Sequence, residues 1–331
     1  MTTDPDPAPL ADRLARLPPS PLRLGARTSH LARAYAQRVI DALHQVAPEV
    51  EIEPVGIETT GDRSPGDLSK LGGKGLFMKE IDTALSSGRI DIAVHCLKDV
   101  PADVPLPPGL VFAAYLERDD VRDAVVFRAG STYTRLEDLP PGTRIGTSAV
   151  RRKAQILRRH PDLRVERFRG NVVPRLARLD EGEGGVEALV LAACGLEKVG
   201  MGHRIGRRLD VGEMCPAVGG GVIGVQCRRP DEGIAELLRS IDHPETRTHV
   251  TAERTMLHLL QGHCNSPIAG HCHTTPDGRL SLIGMVFSRD GGTFVHAHGH
   301  DTPDRAAELG THVATTLLGQ GARDIIADTR C

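Results

Sequence analysis

The chain has 331 residues, of which 40% are hydrophobic, and a formal net charge of -2. This length allows two or three domains with a large core, and the near-neutral charge argues against a general polyanion binder. Aromatic residues make up only 3% and Trp is absent, so stacking platforms for single-stranded nucleic acid are not expected.

Targeting signals and cysteine usage point to the cytoplasm. The sequence contains no run of about 18 apolar residues and no basic start followed by an apolar core, so neither a membrane partner nor secretion is predicted. The seven cysteines are scattered, odd in number and without a C-x-x-C pair. This usage favours a reducing compartment over a disulfide framework.

The N-terminal part predicts an α/β unit behind a short tail. Residues 1–21 are rich in Pro, Asp and Ala and predict a disordered or loosely docked segment. A strand at 22–25 is expected to lead through Arg27 into an amphipathic helix, with Ser29 or Thr28 as its N-cap. Arg27 would then lie at a strand-to-helix turn, where backbone N–H groups and the helix dipole favour an anion.

A second strand is predicted at 50–57, and a glycine-rich loop follows it. The loop, Lys70-Leu-Gly-Gly-Lys-Gly-Leu-Phe-Met-Lys79, leads into a helix that runs through Leu85. It is not a phosphate-binding P-loop, because Gly75 follows Lys74 where Ser or Thr is required. A mobile loop over a site and an ordinary flexible surface loop are both compatible with this pattern.

The next predicted strand ends in a set of polar residues. Ile90 to Val94 is a short, β-branched apolar run, which predicts a buried strand, and Pro101 stops further pairing. In open α/β sheets, ligands bind beyond the carboxyl ends of strands. The sequence therefore places His95, Lys98 and Asp99 in a crevice, with a surface turn as the alternative.

A crossing between domains is predicted at 102–120, followed by a second α/β unit. Its strands are expected at 144–147, 165–168 and 188–193, with helices at 149–159 and 171–180, the latter capped by Asn171. Strands that alternate with helices indicate a parallel sheet.

The last part of the chain predicts a return crossing and a small third domain. A glycine-rich turn at 216–227 runs into an apolar strand, and a long helix is expected at 243–261. A hairpin of strands at 280–287 and 293–299 and a helix at 306–318 then predict an α+β domain. The expected domains are 22–115 with 217–240, 118–216, and 244–331.

Several arginines follow predicted strands. Arg151 and Arg152 lie at a helix N-terminus directly after a strand, and Arg169 follows another strand. Guanidinium groups pair carboxylates bidentately, so these positions predict a ligand with several carboxylates or phosphates. The competing use, a duplex-binding patch, does not require strand-end placement and usually accompanies a higher pI. The remaining arginines of this region are interpreted as solvated charges: Arg158, Arg159, Arg164 and Arg167.

Cys264 lies in a tight turn after the long helix, within Gln261-Gly-His-Cys-Asn-Ser-Pro267. An electrophile could reach a thiol on such a turn, although a small inert hydrophobe is the simpler interpretation. A zinc site is the other alternative, because the nearby candidate ligands are His263, Cys264, His271, Cys272 and His273. The usual paired-cysteine spacing is missing and adjacent ligands rarely both point inward, so no metal is expected.

From about Leu22 to the C-terminus the sequence resembles the porphobilinogen deaminase (hydroxymethylbilane synthase) family. The motifs that carry the resemblance are Ala26-Arg27-Thr28-Ser29, Lys70-Leu-Gly-Gly-Lys-Gly-Leu-Phe77, Asp91-Ile-Ala-Val-His-Cys-Leu-Lys-Asp-Val-Pro101, Gly146-Thr-Ser-Ala-Val-Arg-Arg152, Arg169-Gly-Asn-Val172, Pro216-Ala-Val-Gly219, and Gly262-His-Cys264 with Pro267. The implied fold is α/β, with two doubly wound periplasmic-binding-protein-like domains and a small α+β C-terminal domain that carries the cofactor-attachment cysteine.

The resemblance also implies the chemistry and the residues that perform it. A dipyrromethane cofactor would be attached covalently to Cys264, and four porphobilinogen molecules would be condensed head to tail with release of ammonia. Asp99 is the implied catalytic acid. The residues implied near the cofactor are Lys98, Ser29, Arg151, Arg152, Thr147 and Ser148. Those implied to bind substrate are Arg27, Arg169, Arg175, Lys198, Lys70, Lys74 and Phe77. A cytoplasmic monomer is expected.

The chain departs from the family pattern at several of these positions. The departures are Gly219-Gly-Gly221 for Gly-Gln-Gly, His263 for Gly, Cys96 and Ala149 for Ser, and Lys198 for Arg. None of them removes the implied acid or thiol. Two alternatives therefore stay open, a paralogue that acts on a different pyrrole and a non-catalytic carboxylate-binding module of the same fold.

Overall fold

The computed structural model describes residues 17, 21–63, 75–262 and 266–329. Three sheets organise this part of the chain. The first has the order β2-β1-β3-β10-β4, and its strands are β1 (Leu22–Arg27), β2 (Ile52–Ile57), β3 (Ile92–Cys96), β4 (Leu110–Tyr115) and β10 (Ile223–Arg228). Strands β2, β1 and β3 are parallel, whereas β10 runs antiparallel to both β3 and β4.

Helices cover both faces of the first sheet. They are α1 (His30–Val46), the short α2 (Thr60–Arg63), α3 (Lys79–Ser86) and α7 (Glu232–Arg239). Leu24 and Val39 belong to a core cluster that joins the strands to α1 and α7, while Ile81 and Ile90 belong to a cluster on the α3 side. Ser29 caps α1 as predicted, because its side chain accepts a hydrogen bond from the Ala32 N–H.

The second sheet repeats this architecture with the order β7-β6-β8-β5-β9. Its strands are β5 (Asp123–Phe127), β6 (Arg144–Gly146), β7 (Arg164–Glu166), β8 (Val186–Ala192) and β9 (Arg207–Arg208), and its helices are α4 (Val150–Arg159), α5 (Val172–Asp180) and α6 (Ala193–Lys198). Strand β6 is parallel to β7 and β8, and β5 is antiparallel to β8 and β9.

The third sheet is antiparallel and small. It contains β11 (Ile268–Thr274), β12 (Leu280–Phe287) and β13 (Phe294–Asp301), and it packs against α8 (Pro244–Leu260), α9 (Ala306–Gly319) and α10 (Ala322–Ala327). The predicted hairpin and helices of this region are confirmed. Its turn docks on α4, because a Cβ at Gly291 would lie 2.1 Å from the Ala154 carbonyl oxygen.

The predicted α/β fold class is confirmed, but several local predictions were wrong. Residues 110–115 form β4 instead of continuing the crossing, since this apolar run pairs with β10 on a sheet buried on both faces. Strands β5 and β11 were missed, and both main sheets are mixed instead of parallel. Arg158 is not simply solvated, because its guanidinium stacks 3.5 Å from the Phe294 ring centroid. Asn171 occupies the N-cap of α5 without a side-chain capping bond.

A buried ion pair joins the crossing to the third sheet. Arg118 donates to both carboxylate oxygens of Glu253 on α8 at 2.7 and 3.2 Å, and its Nε donates to the Gly220 carbonyl at 2.9 Å. Glu253 also accepts the N–H groups of Gly219 and Cys272. Burial raises the pKa of this carboxyl, but the charge and hydrogen bonds of Arg118, together with His271, lower the pKa of Glu253 to about 2. The glycine-rich turn 219–221 is therefore held against the third sheet.

Candidate active site

A pocket opens beside the carboxyl end of β3, and the empty space in and in front of it, including the part open to solvent, is about 570 Å³. It is lined by residues from the end of β1, the start of α1, the segment before α3 and the turn after β3. Five residues with predicted roles lie on its wall: Arg27, Ser29, Phe77, Lys98 and Asp99. The crevice predicted from the end of this strand is therefore present.

Asp99 ends the short 3-10 turn Leu97–Asp99 that follows β3. Its side chain is exposed, and within the described residues it makes neither a hydrogen bond nor an ion pair. The turn itself is fixed, because the Leu97 N–H donates to the Val222 carbonyl and the Val100 N–H donates to the Leu97 carbonyl. The backbone of the turn is therefore held in place, and no described side chain is hydrogen-bonded or ion-paired to the Asp99 carboxylate.

Lys98 lies beside Asp99 in the same pocket. Burial disfavours its ammonium, yet the pKa of Lys98 is raised above its ordinary value, and at neutral pH the negative charge of Asp99 favours the ammonium. Burial also raises the pKa of the Cys96 thiol to about 12, so this side chain is a neutral thiol at neutral pH. Lys98 therefore remains a cation next to a carboxylate and a neutral sulfur.

Arg27 reaches the pocket but already has a carboxylate partner. Its Nη2 lies 2.5 Å from Oδ1 of Asp62 on α2, and its guanidinium carbon lies 4.1 Å from the centroid of the Phe77 ring. Burial opposes the charge of Asp62, yet the hydrogen bonds from Arg27 and Thr59 lower the pKa of that carboxyl. A substrate carboxylate would have to share or displace Asp62.

The second sheet brings a pair of buried guanidinium groups towards the first. Arg151 and Arg152 lie in the first turn of α4. The Nη2 atom of Arg151 lies 2.6 Å from Oδ2 of Asp123, and the Nη2 atom of Arg152 lies 2.7 Å from Oδ1. Burial opposes the Asp123 charge, but Arg151 and Arg152 overcome it and lower the pKa of the carboxyl. Arg151 also donates to the Cys215 carbonyl and Arg152 to the Val190 carbonyl. Two cations thus share one anion.

This excess of positive charge extends to Arg175. The Nε atoms of Arg152 and Arg175 are buried and find no hydrogen-bond partner among the described residues. Burial, together with Arg152 and Arg178, lowers the pKa of Arg175 to about 10. The Arg152 charge also acts on Lys98, so the cations of the two sheets lie within electrostatic range of one another. These orphaned donors fit a ligand that brings its own carboxylates.

The other predicted site residues occupy more varied positions. Thr147 is buried at the end of β6, where its hydroxyl accepts from the Ala149 N–H, and Ser148 is exposed. Arg169 is half-buried beyond β7. Lys198 pairs with Asp119 at 3.2 Å and is therefore tied to the crossing. The predicted residues that lie outside the described part of the chain are Lys70, Lys74 and Cys264.

Sequence reasoning missed the carboxylates that organise these cations. Asp62 and Asp123 lie in segments that received no functional interpretation, and Asp123 begins the unrecognised strand β5. The run Asp123-Ala-Val-Val-Phe127 is the signal that could have located it, because an acid at the start of a buried strand requires a partner. Glu253 was likewise interpreted only as part of a long helix.

Neither a metal centre nor a membrane span emerges from the described residues. No group of three or more His, Cys, Asp or Glu side chains within them is arranged to hold a metal ion. The helices that the structure describes are all too short or too polar to cross a bilayer. The geometry instead defines a mixed α/β protein with an exposed acid after a strand of the first sheet and surplus cations beside the second sheet.

Comparison with known proteins assigns this architecture to a family. A sequence model described as "Porphobilinogen deaminase, dipyromethane cofactor binding domain" matches residues 22–236, and one described as "Porphobilinogen deaminase, C-terminal domain" matches residues 247–319. The chain belongs to the porphobilinogen deaminase family, whose members are transferases that bind a dipyrromethane. This finding confirms the family, enzyme class and cofactor that the sequence motifs had suggested.

Individual relatives align along most of the chain. Porphobilinogen deaminase 2 of Streptomyces coelicolor is 50% identical over 93% of this chain and 97% of its own length. Porphobilinogen deaminase of Pelobacter propionicus is 42% identical over 94% of this chain and 98% of its own length. Among solved structures, the periplasmic VFT2 domain of Bordetella pertussis BvgS aligns with 71% of this chain and 93% of its own, with 16% identity and a TM-score of 0.41.

Proposed function

We propose that this chain condenses four porphobilinogen molecules head to tail, releases ammonia at each addition and frees a linear tetrapyrrole as a hydroxymethylbilane synthase. The observation that carries the proposal is the exposed carboxylate of Asp99, which makes no ion pair within the described residues. The other charged side chains on the wall of its pocket are cations, Arg27 and Lys98. Membership of the porphobilinogen deaminase family supports the same reaction.

The role of Asp99 follows from the charge that develops on the substrate. When the amino group of the aminomethyl side chain of porphobilinogen leaves as ammonia, the positive charge left on the methylene carbon is spread onto the pyrrole nitrogen. A fixed carboxylate beside the ring N–H stabilises that charge as it develops. Removal of one such electrostatic group typically costs about 2.7–4 kcal/mol in the transition state.

The surplus cations suit the other groups of the substrate. Porphobilinogen carries an acetate and a propionate, so each added unit brings two carboxylates into the site. Arg152 and Arg175 each keep a buried Nε–H without a described partner, and Arg169 lies half-buried near them in sequence. A carboxylate that accepts from these atoms would satisfy donors that are otherwise costly to bury.

The cofactor would be held by residues from both main sheets. When bound through a thioether to Cys264, the dipyrromethane supplies the acceptor position for the first addition. We propose that its carboxylates and pyrrole N–H groups are held by Ser29, Lys98, Thr147, Ser148, Arg151 and Arg152. Arg151 and Arg152 serve this role partly through Asp123, which fixes their guanidinium groups in place.

The experiment that tests the proposal is a mass measurement followed by an assay. Intact mass of the purified protein under denaturing conditions should exceed the chain mass by two linked pyrrole units, and porphobilinogen should yield tetrapyrrole with release of ammonia. Cys264→Ala should lose both the added mass and the activity, whereas Cys331→Ala, which removes another thiol, should keep them. A bare chain that stays bare and inactive after incubation with porphobilinogen contradicts the proposal.

A paralogue that acts on a different pyrrole is the second candidate. Lys198 stands where the family has Arg, and its ammonium pairs with Asp119 at 3.2 Å. An ammonium cannot pair a carboxylate bidentately as a guanidinium does, so a substrate with fewer or shorter acidic groups would be accepted here. Comparison of kcat/KM for porphobilinogen with that for an analogue lacking the acetate, in the wild type and in Lys198→Arg, separates the two candidates.

The remaining expectations are also part of the proposal. We propose that the protein works in the cytoplasm as a monomer, with no nucleic-acid or membrane partner, and that its domains have the limits 22–115 with 217–240, 118–216 and 244–331. Each limit lies close to a change of sheet in the described structure. Light scattering at the concentrations used for the assay tests the monomer, and limited proteolysis tests the limits.

A further inference from the structure

Helix α8 holds the three residues that follow Asp99. Arg254 donates from Nη1 to the Val100 carbonyl at 3.1 Å and from Nη2 to the Pro101 carbonyl at 2.8 Å. One turn further along the helix, His258 Nδ1 lies 2.7 Å from the Ala102 carbonyl oxygen. A carbonyl only accepts, so Nδ1 carries the proton and donates it. Three consecutive carbonyls are thus bound from one face of a helix.

Residues 100–102 need side-chain hydrogen-bond donors because they do not form the backbone hydrogen bonds of a β-sheet. Pro101 has no N–H, and the chain between Asp99 and β4 is rich in proline and lies outside any strand. Val100 and Ala102 are buried, and their carbonyl groups require partners there. Helix α8, which packs against the third sheet, therefore binds the carbonyl groups of these residues, whereas the Val100 N–H is bound within the turn that carries Asp99.

Among the described residues, the Arg254 side chain hydrogen-bonds only to the carbonyls of Val100 and Pro101. Burial lowers the pKa of its guanidinium, partly offset by Tyr115, and no carboxylate pairs with it within the described residues. A desolvated cation without an anion is unfavourable unless its donors are used well. By contrast, Arg247, two turns earlier on the same helix, pairs with Asp242 at 2.6 Å. Arg254 thus serves to hold a backbone segment.

The same helix leads to the cofactor-attachment position. It ends at Leu260, and Gln261 then adopts a left-handed conformation with φ of 53°. Cys264 follows three residues after Gln261 in the sequence. The C-terminal half of one helix therefore contacts the residues that follow Asp99, and the end of the same helix precedes Cys264 in the sequence.

We propose that Arg254, assisted by His258, is a positioning residue that sets the Asp99 carboxylate relative to the helix end preceding Cys264. The inference rests on the proposed role of Asp99 and adds a second group that determines where its carboxylate stands. Arg254 itself touches neither substrate nor cofactor in this account. Its effect on the reaction is exerted through the backbone of 100–102.

The first test compares Arg254→Met with Arg254→Lys and with Arg159→Met, all as full-length, cofactor-loaded protein. Arg159 also donates to a backbone carbonyl, that of Gly212, but far from Asp99 in the fold. Displacement of a reacting group by about 1 Å can cost about 100-fold in rate. We expect Arg254→Met to lose about 10- to 100-fold in kcat with little change in KM and with the covalent cofactor retained by mass. Arg254→Lys should recover part of the loss, and Arg159→Met should match the wild type.

The decisive test is a double-mutant cycle with Asp99→Glu, which already moves the carboxylate. If Arg254 acts by placing that carboxylate, Arg254→Met should cost much less kcat in the Asp99→Glu background than in the wild type. A loss of the same factor in both backgrounds, or no loss in kcat for folded Arg254→Met, overturns the proposal. A merely structural role would lower the melting temperature without this non-additivity.

His258→Ala provides the same test if Arg254→Met folds poorly. His258 is exposed, so its loss should leave the melting temperature almost unchanged while kcat falls by a smaller factor in the same direction. Unchanged kcat in folded, cofactor-loaded His258→Ala counts against the inference. Failure of the proposed function is distinguished from this outcome, because in that case the wild type itself produces no tetrapyrrole from porphobilinogen.

Discussion

Two aspartates mark the ends of strands in the two main sheets, and their surroundings are opposite. Asp99 follows β3 in the first sheet, is exposed and makes no ion pair with a described residue. Asp123 begins β5 in the second sheet, is 2% exposed and is gripped by two arginines. An aspartate side chain is thus accessible to a ligand at position 99, whereas at position 123 it holds two arginine side chains in place.

The two aspartates differ because different charged groups surround them. Near Asp123 two guanidinium groups supply more charge than one carboxylate can neutralise, so the edge remains cationic after pairing. Near Asp99 the neighbouring Lys98 is one cation beside one anion in an open pocket. A site for a substrate with two carboxylates and a developing positive charge needs both arrangements, one for binding and one for reaction.

The largest expected effect is a loss of unfolding free energy, and it should appear when Asp123 is replaced. Asp123→Asn leaves two buried guanidinium groups without an anion, and such a change typically costs about 3–5 kcal/mol of unfolding free energy. Urea denaturation of the cofactor-free protein would measure the loss. Asp180→Asn, which breaks the more exposed pair with Arg204, is the matched control and should cost at most about 1 kcal/mol. Equal losses in both variants would contradict the anchoring role of Asp123.

The next effect is on the reaction, and it should appear only at the other aspartate. Asp99→Asn keeps the shape of the side chain but removes its charge, so kcat should fall by about 100- to 1000-fold while the unfolding free energy stays close to that of the wild type. Steady-state kinetics and the same urea titration provide the two readouts. A variant that is fully active would remove Asp99 from the mechanism, whatever its stability.

Arg175 tests the cationic side of the comparison. Arg175→Met removes a half-buried cation that has no described partner, so stability should be unchanged or higher. Substrate carboxylates would lose charged hydrogen bonds worth about 1.5–3 kcal/mol, which corresponds to about a 10- to 100-fold fall in kcat/KM. Arg164→Met, at an exposed position of β7, is the control. A large loss of stability in Arg175→Met with normal kinetics would mean that the residue is structural.

The positions of the candidate site residues could be predicted from the sequence better than the positions of the carboxylates that pair with them. The placement of Asp99 and Arg152 after strands could be inferred, because strand ends and helix N-termini have local signals in composition and spacing. The partners Asp62, Asp123 and Glu253 lie 35, 28 or 29, and 135 residues from the arginines they bind. Pairings of this kind depend on how distant segments pack, and no local pattern in one sequence encodes them. The antiparallel β4 and β5 were missed for the same reason, since a short apolar run does not reveal its neighbours.

The smallest expected effect is on the pH dependence of the unfolding free energy, and it arises from the buried carboxylate of Glu253. The folded pKa of Glu253 is lowered to about 2, whereas an unfolded Glu titrates near about 4.3. The unfolded chain therefore binds this proton first, and the stability that Glu253 contributes is full above about pH 4.3 and is lost as the pH falls towards 2. Glu253→Gln should be less stable than the wild type above about pH 4.3, but its unfolding free energy should fall by about 1–2 kcal/mol less than that of the wild type between pH 5 and pH 3. Parallel curves for the two proteins would mean that the buried pair with Arg118 does not control this titration.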